Sequence, residues 1–207
     1  IVRGPHTDAA VADRVVDFVD RKLGKRVVPT KDTPGFIANR IGTYWLAVAV
    51  NAAMDQGLTI EEADQIGGKP MGVPKTGIFG LIDLVGIDLM PLLTESLTAN
   101  LPKGDPYFDT VRDQPLIERM IAEGRTGRKA GSGFYSFEKK TRTKRALDFA
   151  TGEYRDPVKP QRLPPRAEGD LHALTNAPGK TGPYAWEILG KVLAYSASLV
   201  GDAADDI

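Results

Sequence analysis

Residues 31–40 read KDTPGFIANR. Pro34 and Gly35 both interrupt regular structure, yet Asn39 and Arg40 follow almost at once and open an apolar run from Ile41 to Val50. Proline disfavours helix in the residue before it, and glycine turns the chain freely. The junction therefore reads as the end of one unit and the start of another. The polar pair stands at the first turn of the second unit, where a binding site would gain most from it.

Upstream of the junction, HTDAAVADRVVDFVDRKLGK carries a helical signature. Thr7 or Asp8 can cap the first turn, Val11, Val15, Phe18 and Val19 recur at helical spacing, and Gly24 supplies a left-handed stop. RVVPT at 26–30 reads as a short strand, and the opening IVRG as the tail of another. Strand, helix, strand is the unit from which open α/β sheets are built. Ile1 is not a translation start, so the chain is expected to be a piece of a longer protein.

Downstream, residues 36–56 are apolar on most faces, with small Gly42, Ala47, Ala49, Ala52 and Ala53 interspersed. Such a helix is buried in a core or against a partner. Thr59 and Glu62 stand at capping-box spacing. Two short helices follow, separated at Gly86, with Asp83 and Asp88 read as caps and Pro91 in a first turn. A helix over 115–123 leads into the glycine-rich GRTGRKAGSG and a short aromatic strand. Gly127, Gly131 and Gly133 read as turn formers, Phe134 and Tyr135 as core, and Arg40 as a structural residue that covers the domain junction or pairs with an acid. The run KKTRTKR at 139–145 reads as solvated surface, LDFATGEYRDP as an exposed hairpin, and the four-proline stretch 156–170 as a linker. PYAWEILGKVLAYSASLVGDAADDI is a second small-residue helix, a faint echo of residues 36–66. The fold class is mainly α. The expected units are 1–33, 34–138, 139–182 and 183–207.

Composition narrows the function classes. The 27 basic and 27 acidic residues cancel, which argues against a nucleic-acid partner. No cysteine is present, so thiolate chemistry and disulfides are excluded, in keeping with a reducing cytoplasm. No apolar run is long enough to span a bilayer. His6 and His172 have no partner at metal-ligand spacing, so no metal site is expected. The glycine-rich segment follows a helix and precedes a strand, the reverse of a dinucleotide fingerprint. These residues alone leave the function open.

Three motifs in order, TKDTPGFIANRI, GVPKTGIFGLIDLVGID and GRKAGSGFYSF, resemble the C-terminal domain of the L-3-hydroxyacyl-CoA dehydrogenases, the NAD-dependent enzymes of fatty-acid β-oxidation. The resemblance covers residues 1–138 and makes residues 1–33 a remnant of a Rossmann domain. Residues 139–207 resemble the linker and second helical repeat of larger, multifunctional members.

The resemblance implies that Asn39 faces the cleft between the two domains and contacts the acyl-CoA substrate, and that Lys129 reaches the NAD cofactor. It also implies pairing through the helical domain, as a homodimer or between tandem domains. The family's NAD fingerprint and catalytic His–Glu pair would lie before Ile1. No catalytic residue is therefore expected in these 207 residues, and the chain alone is expected to be inactive. PKTGIFGL departs from the family's plainer glycine–proline–aromatic run. A non-catalytic helical oligomerisation module and a related NAD-dependent hydroxy-acid dehydrogenase are the rival readings.

Overall fold

The computed structural model describes residues 1–138 and 143–205, so part of the charged run at 139–145 lies outside the described residues. Helix α1 (Ala9–Arg21) starts at Asp8, whose carboxylate accepts the Val11 N–H at 2.9 Å. Thr7 instead accepts from the Gly4 N–H. The strand expected at 26–30 shrinks to one residue: Thr30 bridges in parallel to Val2. Pro29 has no N–H to extend the ladder. Two parallel bridge partners flanking a helix are the crossover unit at its smallest. The apolar face of α1 is only partly covered by the described residues: Ala12 is buried, but Val11, Val15 and Phe18 are exposed, Phe18 by 53%.

The chain then turns through Gly35 (φ 76°) and Phe36 (φ 51°). Phe36 is the only non-glycine with positive φ among the described residues, a costly conformation that persists only where the surroundings enforce it. Helix α2 (Ala38–Asp55) follows and forms the axis of the body. Around it lie α3 (Ile60–Ile66), α4 (Phe79–Val85), α5 (Leu89–Asn100) and α6 (Pro115–Ala122), with a 3₁₀ turn at Pro106–Thr110. The capping box at α3 forms: the Glu62 N–H donates to Thr59 Oγ1 and the Thr59 N–H to Glu62 Oε2. Asp88 occupies the N-cap of α5 but makes no capping hydrogen bond, contrary to expectation. Asp83 is not a cap either. It sits inside α4 and reaches across to the strand that follows α6.

That strand, β1 (Tyr135–Glu138), pairs antiparallel with β2 (Thr143–Leu147), which pairs with β3 (Tyr154–Arg155). The expected hairpin is thus the β2–β3 pair, with Leu147 opposite Tyr154. Phe134, fully buried, meets Phe79 edge-on at 4.8 Å and packs near Phe149. Each such buried ring contributes roughly 1.5–3 kcal/mol.

The proline-rich stretch runs without helix or strand but buries Leu163 and Ala167 in the same core as α2. A short helix not foreseen from sequence, α7 (Leu171–Thr175), carries His172. Helix α8 (Thr181–Ser198) then lies along α2. Ala49, Ala52 and Ala53 are buried and small, so the two backbones approach closely. The Tyr184 hydroxyl donates to the Ala49 carbonyl at 3.1 Å, and Gln56 donates to Glu187 at 2.8 Å. The small-residue face of α2 therefore finds its partner within this chain.

Candidate functional site at the junction helix

Successive helical residues diverge by roughly 100°, so Asn39 and Arg40 point to different worlds. Arg40 is 2% exposed. It donates through Nε to the Tyr195 hydroxyl at 3.0 Å, through Nη1 to Asp202 at 2.8 Å, and through Nη2 to Asp105. Tyr195 in turn donates to Asp105 Oδ1 at 3.0 Å and stacks on Tyr44 with 4.1 Å between centroids. Burial and the hydrogen bond to Asp105 push the Tyr195 hydroxyl up to about 12 against the opposing pull of Arg40. Desolvation works against the Arg40 charge, but Tyr195 and Asp105 outweigh it and raise its pKa. Arg40 is structural and acid-paired, as its position in the sequence indicated.

Asn39 is exposed on the other side of the turn. Its carbonyl accepts the Thr43 hydroxyl at 2.6 Å. Thr43 begins an open-mouthed cavity of about 420 Å³ bordered by α2, α4, α5, the 3₁₀ turn and α6. Thr43, Leu46, Ala47 and Val50 line one wall; Met90, Thr94 and Ile117 lie on others. Asn39, Thr43, Leu46 and Val50 follow helical spacing down one stripe of α2. Asn39 itself is outside the lining and stands one turn beyond it. Gln114 Oε1, on the cavity wall, is a buried acceptor without a partner.

The second and third motifs meet at two carboxylates, the buried Asp83 and the half-buried Asp64. Asp64 accepts the Phe79 N–H at 2.6 Å, the Gly80 N–H at 3.2 Å and the Tyr135 hydroxyl at 2.8 Å. Burial pushes its pKa up to about 7 despite those three donors. Asp83 accepts the Phe134 and Tyr135 N–H groups at 2.7 and 2.8 Å, and burial raises it to about 6. The glycine-rich loop is shaped around Asp83: a Cβ on Gly127 would come within 2.5 Å of the Asp83 carbonyl oxygen, and one on Gly133 would strike its carboxylate. Gly127 and Gly133 thus allow close packing, a constraint beyond the turn-forming role expected of them. Gly77 does the same for PKTGIFGL, since a Cβ there would lie 2.5 Å from the Asp64 Cα.

Residues 35–137 match the sequence family described as 3-hydroxyacyl-CoA dehydrogenase, C-terminal domain. The chain belongs to the 3-hydroxyacyl-CoA dehydrogenase family. A Rickettsia prowazekii protein described as a fatty acid oxidation complex trifunctional enzyme is 34% identical over 97% of this chain, which spans 28% of that relative. The 3-hydroxybutyryl-CoA dehydrogenase of Mycobacterium tuberculosis is 31% identical over 66% of this chain and 46% of its own length. Among solved structures, (S)-3-hydroxybutyryl-CoA dehydrogenase PaaH1 from Ralstonia eutropha superposes with a TM-score of 0.55 at 30% identity, covering 67% of this chain and 46% of that one. The chain thus spans between about a quarter and a half of the length of these relatives.

Of the residues that the sequence singled out, Lys129 is exposed on the 3₁₀ turn Arg128–Ala130 and makes no ion pair with a described residue. Among the described residues no hydrogen bond or ion pair joins it to Asn39. His6 lies in the loop before α1 and His172 on α7, and both are exposed. No three His, Cys, Asp or Glu side chains gather as a metal site among the described residues, and no described helix is long and apolar enough to cross a membrane. Sequence reading missed Asp64, Asp105, Tyr195 and Asp202. The last three lie 65, 155 and 162 positions from their common partner Arg40, beyond any local pattern.

Proposed function

We propose that this chain is the substrate-side and pairing domain of an NAD-dependent L-3-hydroxyacyl-CoA dehydrogenase that oxidises 3-hydroxyacyl-CoA to 3-ketoacyl-CoA. The supporting observation is the stripe on α2. An exposed amide at Asn39 leads, one turn on, into an apolar cavity of about 420 Å³ at Thr43. In this reading the Asn39 amide donates a hydrogen bond to an oxygen at the reacting end of the thioester, and the acyl tail runs along α2 into the cavity. A neutral amide suits that task, since it donates without adding charge beside a base.

NAD, when bound, accepts the hydride from the hydroxyl-bearing carbon. The glycine-rich loop of this chain is filled by Asp83 and does not form a phosphate cradle. Lys129, an exposed ammonium with no ion pair among described residues, fits a contact to a phosphate or ribose of the cofactor. The partly uncovered apolar face of α1 supports the remainder of a nucleotide-binding domain packing there. The α2–α8 contact supports tandem-domain pairing, with α8 opening the second repeat, over a homodimer built on the same face of α2.

The test is NADH-linked reduction of acetoacetyl-CoA by the full-length protein. Asn39→Ala lowers kcat/KM by about 10²–10³, the usual effect of losing a donor to a developing oxyanion, while the 207-residue chain alone gives no turnover above buffer. An Asn39→Ala protein with unchanged kcat/KM sinks the reading.

A further inference from the structure

The segment that follows α8 returns to the Pro–Gly junction and grips it from both sides. Before the junction, the Lys31 N–H donates to the Ala203 carbonyl at 2.9 Å, and Thr30 Oγ1 donates to the same oxygen at 3.0 Å. Lys31 Nζ donates to the Gly201 carbonyl at 2.6 Å and pairs with Asp205 at 2.9 Å. After the junction, Arg40 donates to Asp202 and to Tyr195. Between these grips lies the left-handed pair Gly35 and Phe36. Two flanks separated by nine residues are thus fixed to one short piece of chain some 160 positions away.

We propose that α8 and residues 200–205 form a clamp that holds the hinge between the first unit and α2, with Tyr195 and Asp202 acting as positioning residues for the Asn39 turn through Arg40. Several observations favour a clamp over incidental packing. Its contacts fall on both flanks of the hinge, whereas packing of α8 on α2 alone needs only the second flank. They are hydrogen bonds of defined geometry, several of them to charged groups, and not interchangeable apolar contacts. They also bracket, on both sides in sequence, the left-handed Phe36, a backbone conformation that persists only where the structure around it holds it. The tail holds its own shape as well, through the Gly201 N–H bond to the Ala204 carbonyl at 2.6 Å. The consequence is that a second helical unit governs the first unit's hinge, so that pairing and the presentation of Asn39 are one event. Only that last step, what Asn39 then does to substrate, rests on the function proposed above.

Amide hydrogen exchange on the 207-residue chain tests the clamp. Asp202 is half exposed, so Asp202→Ala leaves the core intact. A hydrogen bond to a charged group is worth enough to raise exchange by at least roughly tenfold at the amides of Phe36, Arg40 and Ile41 when it is lost. The Phe79 and Gly80 amides, held by Asp64 away from the hinge, do not change, and Asp202→Glu restores protection. Coupling is reciprocal, so Thr30→Val on the far flank speeds exchange at Asp202 and Ala203. The clamp is overturned if exchange at the hinge is unchanged in Asp202→Ala, or if it rises equally at Phe79 and Gly80, which marks general destabilisation. Asn39→Ala separates the two proposals. It leaves hinge exchange at the wild-type rate whether or not it alters turnover in the full-length protein.

Discussion

Arg40 and Asp105 form an ion pair in which both side chains are almost wholly withdrawn from water, 2% and 5% exposed, although 65 positions separate them in the chain. The pair joins the first turn of α2 to the 3₁₀ turn after α5. Tyr195 bridges both partners from α8, so three distant segments converge on one guanidinium.

Removing one member of a buried pair strands the other charge. Arg40→Ala is expected to cost about 3–5 kcal/mol, read as a fall in the urea midpoint at constant slope. The apolar double change Arg40→Met with Asp105→Leu recovers most of that loss. A single-variant loss of under about 1 kcal/mol, the range of exposed pairs, would contradict the buried geometry.

Asp64 makes stability fall with pH. Its carboxyl ordinarily titrates at 3.8 and is pushed up to about 7 in the fold by burial. Between those values the unfolded chain has lost this proton and the folded chain keeps it. The contribution is therefore complete below pH 3.8 and is lost as pH rises through about 7. Urea midpoints at pH 5 and pH 8 should differ more in the wild type than in Asp64→Asn. Tyr135→Phe, which removes a donor to the carboxylate, should move the Asp64 carbon-13 titration to still higher pH. A titration unchanged or lowered in Tyr135→Phe excludes this account.

Gly77 is constrained twice, by φ of 72° and by the Asp64 backbone 2.5 Å from any Cβ. Gly77→Ala should cost about 1–3 kcal/mol from backbone strain alone, with the collision added. Gly131→Ala, also at positive φ (86°) but with open space around its Cβ, should cost less. Thermal melts of the two variants side by side decide it, and equal losses would remove the packing argument.

Ala47→Trp places an indole in the cavity wall at a half-buried position of α2. In the full-length protein, KM for long-chain 3-ketoacyl-CoA substrates should rise while that for acetoacetyl-CoA stays near the wild-type value, because a four-carbon substrate does not need the cavity. A rise of equal size for both would place the acyl tail elsewhere.

Local signals were legible where the cause is local. The capping box at Thr59 and Glu62, the break at Gly86 and the turn at Pro34–Gly35 each follow from residues within a few positions. The strand expected at 26–30 is shorter because a strand needs neighbours, and among the described residues it meets just the short Ile1–Val2 segment. Asp88 does take the N-cap position of α5, without a capping bond, whereas Asp83 is no cap because the donors that engage it lie 51 and 52 positions further on.

By itself, the sequence determined the helical character of the body, the turn at Pro34–Gly35, the exclusion of disulfide and thiolate chemistry, and the three ordered motifs that place the chain in its family. Only the tertiary structure decided that α8 covers the small-residue face of α2, that Asn39 stands one turn from an apolar cavity, and that Arg40 gathers Asp105, Tyr195 and Asp202. The reason is physical. Capping and turn chemistry act over a few residues and leave local patterns, whereas buried charge selects its partners by distance in space.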